Sequence, residues 1–347
     1  MTDSTFNAGA YYRLALAPED RERLPRYAAL VDALSTSSVA CALLGEARAE
    51  QRNPMLVLAA LHYNALVGDR VLAPLYAHVN QIDPGDFARG VVAALEERPE
   101  LVRAQLHRAT QTNEPGRSAV LAAILRELHS RGVEDVHLID VGTSMGLNLY
   151  PDFYNINSPS DEGVNLEIED LGGNVTRVGL PRIHQRIGID LHPLDPSNAE
   201  DVLWLKACLW PEQPERTTRF EHTLKAMKDW PSALRLTGSA LDVIDDALSL
   251  CTPDAMPVVF HSWVAAYFSP EEQVRWREII MRHVQSRATW IYLEHPWGVK
   301  GLTPPATTSD PPRSGATQIV VCELGGEPAH WGWAHPHGRW VALAAPS

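Results

Sequence analysis

The chain has 347 residues, of which 45% are hydrophobic and 21% charged, enough apolar side chain for a packed core in one large domain or two ordinary ones. A formal net charge of −13 and a pI near 5.5 leave no counterion-release energy to gain on DNA or RNA and no attraction to an anionic membrane surface. Neither nucleic acid nor membrane is therefore an expected partner.

The chain up to about residue 132 reads as helices. Asn53-Pro54 is a cap followed by proline at the first helical position. The run Met55 to Tyr63 is apolar on nearly all sides, which predicts a buried helix, too short to span a bilayer. Asp83-Pro84 opens another helix, carrying Phe87, Val91, Val92 and Leu95. A further helix starts near Arg117, with Val120, Leu121, Ile124, Leu125 and Leu128 on one face, and stops at Gly132. No apolar leader precedes these helices, so no signal peptide is expected.

After residue 135 short apolar runs alternate with helical segments. The runs are Val136–Val141, Ile187–Leu191, Ala233–Thr237, Pro257–His261 and Ala288–Leu293. Helices are predicted over Val202–Leu205, Leu241–Leu250 and Val274–Val284, the first and last behind capping boxes at Ser197 and Ser269. This alternation predicts a parallel sheet with helices on its faces. A hairpin over Val164–Val178, turning at Gly172-Gly173-Asn174, is expected as an insertion. Gln318–Glu323, Ala329–Trp333 and Arg339–Leu343 read as antiparallel strands. The four cysteines, Cys41, Cys208, Cys251 and Cys322, form no CxxC pair, so no zinc site or disulfide framework is expected and reduced thiols suit a cytoplasmic protein. His330, His335 and His337 lie among Trp331, Trp333 and Trp340, which suits an aromatic-packed hairpin better than a metal site.

The chemistry concentrates where the first strand ends. Asp140 is followed by Gly142-x-Ser144-x-Gly146. Glycines allow a sharp turn and close approach of a ligand, and a following helix would present free N–H groups. An acidic residue ending the second strand can hold ribose hydroxyls, and Asp190 stands there. The full G-x-G-x-x-G is missing, which disfavours a pyrophosphate cofactor and favours S-adenosylmethionine (SAM). The same residues spell the nucleophile elbow G-x-S-x-G, so a serine hydrolase acting through Ser144 is the rival reading. The helical segment upstream lacks the strands and the Gly-Gly oxyanion loop that a hydrolase needs.

Several stretches together resemble a bacterial family of uncharacterised proteins with a class I methyltransferase-like fold. They are Asn53-Pro-Met55, Gln111-Thr-Asn-Glu-Pro-Gly-Arg117, Asp140–Leu149, Gly188–Asp195, Trp204–Pro211 and His261-Ser262. Asp140 stands where that family's pattern has Glu and Met145 where it has Ala; both changes keep the chemistry. In size and plan the chain is also similar to SAM cyclases that form azetidine-2-carboxylate. These resemblances imply a Rossmann-like class I methyltransferase sheet with antiparallel C-terminal strands over 133–347 and an all-α cap over 1–132, with the active site between them.

The expected cofactor contacts are Asp140, Gly142, Ser144, Gly146, Asp190, Ser239, Ala240 and Ser262. Gln111, Asn113, Glu114 and Arg117 are expected to bind a substrate carboxylate, Arg117 through its planar fork. Asn148, Tyr154 and His261 are the candidate catalytic residues, with His261 as a general base. Tyr150, Phe153 and Tyr154 could face a sulfonium. The expected activity is SAM-dependent chemistry on a small molecule. The alternatives are cyclisation of SAM itself to azetidine-2-carboxylate and methylthioadenosine, a serine hydrolase, and a non-catalytic SAM-binding protein.

Overall fold

The computed structural model describes residues 6–175 and 178–344. They form a mixed α/β protein in two compact units, 1–112 with 196–218, and 113–195 with 219–347. The helical unit is built from short helices, among them Pro25–Leu34, Ser38–Glu46, Pro54–Leu66, Pro84–Glu97 and Ala199–Ala207. Asn53 caps Pro54–Leu66 by accepting from Met55 N at 3.0 Å. That helix is apolar all round because it is the centre of the unit: Leu56, Val57, Ala60 and Leu61 are buried beside Leu30, Leu43, Phe87, Val91 and Trp204. Among the described residues no single helix is long and apolar enough to cross a membrane.

The second unit contains eleven strands among the described residues: β1 Asp135–Val141, β2 Tyr154–Ile156, β3 Val164–Leu166, β4 Glu169–Asp170, β5 Arg182–Asp190, β6 Leu234–Thr237, β7 Met256–Ser262, β8 Thr289–Glu294, β9 Thr317–Cys322, β10 Ala329–Ala334 and β11 Trp340–Leu343. Nine form one sheet in the order β4-β11-β10-β9-β8-β7-β1-β5-β6. The stretch β8-β7-β1-β5-β6 is parallel, and β8 to β11 are antiparallel. β1 and β7, buried nearly throughout, have helices on both sides. Val136, Leu138 and Phe260 pack with the helix Gly116–Ser130, and Ile139, Val141 and Val259 with the helices Ala240–Ser249 and Pro270–Val284.

Three expectations change. The domain boundary expected at 132 lies at 112, because Gly116–Ser130 is buried on all sides against the sheet, and 196–218 joins the helical unit through Trp204 and Ala207. The hairpin over 164–178 is not formed by the described residues: β3 pairs in parallel with β2, and β4 joins the sheet edge at β11. Gly172 and Gly173 turn instead around Asp170, whose carboxylate accepts from Gly173 N and Val175 N; Thr176 and Arg177 lie outside the described residues. β5 starts five residues before the expected Ile187, at Arg182.

The chain passes from β1 to β5 and β6 on one side, then returns to β7 and β8 on the other. The strand order therefore reverses between β1 and β7. In open parallel sheets the crevice at the carboxyl ends of such a pair is where ligands bind.

Candidate functional site

The carboxyl end of β1 leads into a turn that only glycine can make at its first position. Gly142 has φ +72°, and a Cβ there would lie 2.2 Å from Val264 Cγ2. Its openness thus serves close packing of the turn after β7. Gly146 has φ +86°. No α-helix follows: residues 147–149 make a single 3-10 turn. Pro151 disfavours helical backbone at Tyr150, and Tyr150, Phe153 and Tyr154 fold over Trp230 instead, with ring centroids 5.0 to 5.4 Å away. The fan of free helical N–H groups expected here is therefore replaced.

The loop's peptide groups are held by the protein itself. Gly142 N and Thr143 N donate to Ile189 O at 2.8 and 3.0 Å, and Gly146 N to Thr143 O. Ser144 N donates to Asp190 Oδ2 at 2.8 Å. Asn113 grips both sides of the turn, donating to Thr143 O at 3.1 Å and accepting from Leu147 N at 3.0 Å. Arg235 donates to Met145 O, Ser118 and Tyr154 hydroxyls to Leu147 O, and Arg186 to Leu149 O. Asn113→Ala would leave a buried amide and a buried carbonyl without these partners. An orphaned pair of this kind costs about 3 kcal/mol; urea unfolding should show that loss, and one below about 1 kcal/mol would mean that Asn113 does not brace the loop.

Against this satisfied backbone, four buried side-chain oxygens at this edge have no hydrogen-bond partner among the described residues: Asp140 Oδ2, Thr143 Oγ1, Ser144 Oγ and Glu294 Oε2. They stand at or just beyond the carboxyl ends of β1 and β8. Burial pushes the Asp140 carboxyl up to about 7; the charge of Asp190 adds to this, and the Thr143 hydroxyl and Arg117 oppose it. Two non-glycine residues here have left-handed backbone, Ser144 (φ +53°) and Trp263 (φ +59°). For a tryptophan this is a strained geometry, of the kind that clusters at ligand sites.

The expected site residues separate into those at this edge and those used elsewhere. Asp190 ends β5 as expected, but its oxygens accept from Ser144 N and from His192 N at 2.9 Å, so it holds the loop first and keeps only spare lone pairs for a ligand. Arg117 is not an open fork: Nε donates to Pro336 O at 2.9 Å and Nη1 to Ser262 O at 3.2 Å. Glu114 accepts from Gly116 N and from Arg219 Nη1 at 3.1 Å. Gln111 lies in the helical unit, where its backbone bonds the Cys208 thiol. Asn113, Glu114 and Arg117 of the expected carboxylate-binding tetrad thus act as braces.

His261 is also corrected. Its ring is buried, Nδ1 bonds Glu294 Oε1 at 2.8 Å, and Nε2 accepts from Trp276 Nε1 at 3.4 Å. Both nitrogens being engaged, it offers no lone pair to a substrate. Tyr154 is a buried brace, and Asn148 Oδ1 accepts from Ser118 Oγ at 3.1 Å. Ser239 caps the helix Ala240–Ser249 by accepting from Leu241 N, and Ala240 is buried in its first turn. Ser262 is nearly buried at the end of β7. The faces of Tyr150 and Phe153 already carry a cation, Arg186, 5.0 and 5.2 Å from their ring centres and paired with Asp152 at 2.6 Å. His330 sits on β10 against Trp333, and its Nδ1 accepts from Thr308 N at 3.1 Å.

Glu294 and Trp263 were not singled out from the sequence. Glu294 Oε1 also accepts from Val264 N at 2.9 Å and Ala265 N at 3.0 Å, which fixes the turn that packs on Gly142. The signal was a carboxylate directly after the apolar run Ala288–Leu293, the position Asp140 and Asp190 occupy on their strands.

No curated protein matches this chain. One family model covers residues 11–342, described as an uncharacterized protein conserved in bacteria (DUF2332). The chain accordingly belongs to the DUF2332 family.

Proposed function

We propose that the protein is a SAM-dependent enzyme acting on a small molecule, with SAM held at the carboxyl ends of β1 and β5. The observation that carries this reading is the set of buried oxygens without a hydrogen-bond partner, Asp140 Oδ2 at the end of β1 with Thr143 Oγ1 and Ser144 Oγ on the loop after it, where the loop amides are largely satisfied internally. A phosphate needs a fan of free N–H groups, which this loop spends on its own backbone. A carboxylate beside a second carboxylate favours a cationic, phosphate-free ligand. The parallel order β8-β7-β1-β5-β6, extended by antiparallel strands, supports a methyltransferase-like sheet.

Bound SAM would supply an electrophilic carbon activated by its sulfonium. In this reading Asp140 takes the cofactor's cationic group, Ser144 adds a hydroxyl, and Asp190 offers its remaining lone pairs to ribose hydroxyls. With both ring nitrogens engaged by Glu294 and Trp276, His261 does not serve as base. An acceptor that is already nucleophilic needs only proximity and in-line geometry.

Methyl transfer is favoured over cyclisation of SAM, because Arg117, the expected carboxylate anchor for cyclisation, donates to two main-chain carbonyls. It is favoured over hydrolysis because Ser144 Oγ has no histidine bonded to it. Incubation with SAM, with and without a small-molecule extract, followed by mass spectrometry tests the reading. S-adenosylhomocysteine formed only with the extract is the expected outcome. Methylthioadenosine from SAM alone would favour cyclisation, and no SAM-derived product would defeat the catalytic reading.

A further inference from the structure

The turns after β7 and β8 carry aromatic side chains that no role assigned above uses. Residues 263–268 read Trp-Val-Ala-Ala-Tyr-Phe and residues 295–299 read His-Pro-Trp-Gly-Val. Trp297 is 78% exposed and Tyr267 44% exposed, although a tryptophan of that exposure gains nothing for folding. The Trp263 and His295 rings lie 6.1 Å apart between centroids.

Both turns are locked in place. Gln273 Nε2 donates to Ala265 O at 2.9 Å, to Phe268 O at 3.3 Å and to Gly298 O at 2.9 Å. Its Oε1 accepts from Gly301 N at 2.9 Å. One buried amide thus joins the two turns. The Trp263 indole donates to Thr317 Oγ1 at 3.2 Å, which holds its strained backbone. Aromatic side chains presented from such fixed turns make a pre-organised surface.

We infer that these turns form an aromatic shelf that binds a planar, uncharged aromatic small molecule. The position supports this occupant: the shelf lies at the carboxyl ends of β7 and β8, on the other side of the strand-order reversal from the glycine loop and Asp190. Its composition supports it as well. Neither turn contains Lys, Arg, Asp or Glu, and burial holds the His295 imidazole below its ordinary range, toward the neutral form. Ring stacking is the recognition such a surface offers. That this molecule is the second reactant rests on the SAM reading; its chemical class does not.

Indole, phenol and cyclohexanol are the probes, titrated by saturation-transfer NMR into the full chain, its Trp297→Leu and Tyr267→Leu variants, and Trp297→Phe as the conservative control. Indole should bind the wild type at least about tenfold more tightly than cyclohexanol, lose about tenfold in Trp297→Leu and recover most of it in Trp297→Phe. Equal indole binding by wild type and Trp297→Leu, or cyclohexanol binding as tight as indole, overturns the shelf. So does a shift in sedimentation from dimer to monomer caused by Trp297→Leu, which would make it an interface between copies. Calorimetry with SAM runs in parallel and should be unchanged in Trp297→Leu. Loss of indole binding with SAM binding intact defeats the shelf alone; absent SAM binding with indole binding intact defeats the cofactor reading alone.

Discussion

Asp140→Asn should make the ligand-free protein more stable at pH 8 while, on the proposed function, weakening its hold on SAM. The Asp140 carboxyl lies near 7 in the folded chain against an ordinary 3.8. Between those values the folded state keeps a proton that the unfolded chain has released, so this group's contribution falls as pH rises. Below about pH 4 it has no effect. Above about pH 7 the full penalty applies, roughly 4 kcal/mol at 1.36 kcal/mol per pH unit. Asparagine fills the same volume and does not ionise. Urea unfolding of wild type and variant should therefore coincide near pH 4 and separate progressively up to pH 8, the variant being the more stable. Parallel curves across that range would show that Asp140 is not buried as an acid.

Gly142→Ala should act in the opposite direction, with a comparable size. The left-handed backbone costs a non-glycine residue about 1–2 kcal/mol, and the overlap with Val264 Cγ2 adds an overpacking cost of about 1–3 kcal/mol. A total near 3 kcal/mol is expected in urea unfolding. The double variant Gly142→Ala with Val264→Ala separates the two causes: it should recover the overlap cost and keep the backbone cost. If the second substitution adds its own loss instead, the two residues do not meet in the folded state. On the proposed function SAM affinity should also fall in the single variant, because the same turn positions Ser144.

The central sheet was legible in the sequence because each of its strands is an apolar run closed by a turn residue or a carboxylate. Val136–Val141, Pro257–His261 and Ala288–Leu293 each fall within a residue of β1, β7 and β8. The first half of β5 was hidden because Arg182, His184 and Arg186 carry no apolar alternation; they are held there by Asp135 and Asp152. The helix Gly116–Ser130 was legible as a helix but not as part of the sheet unit, since periodicity shows which face is apolar and not what covers it. At the site, the sequence located Asp140, Ser144 and Asp190 at the carboxyl ends of their strands. It did not show that Asn113 and Arg117 spend their hydrogen bonds on main chain, or that Glu294 neutralises the donors of His261, Val264 and Ala265. Those are pairings across more than twenty-five residues, set by which strands lie side by side.

The most direct test of the proposed cofactor site is amide hydrogen exchange with and without SAM, in wild type and in Asp140→Asn. The account predicts that SAM slows exchange over 142–149 and 190–194 in the wild type, and that the variant needs at least about tenfold more SAM for the same protection. Protection confined to other segments, or no change at saturating SAM, would contradict it.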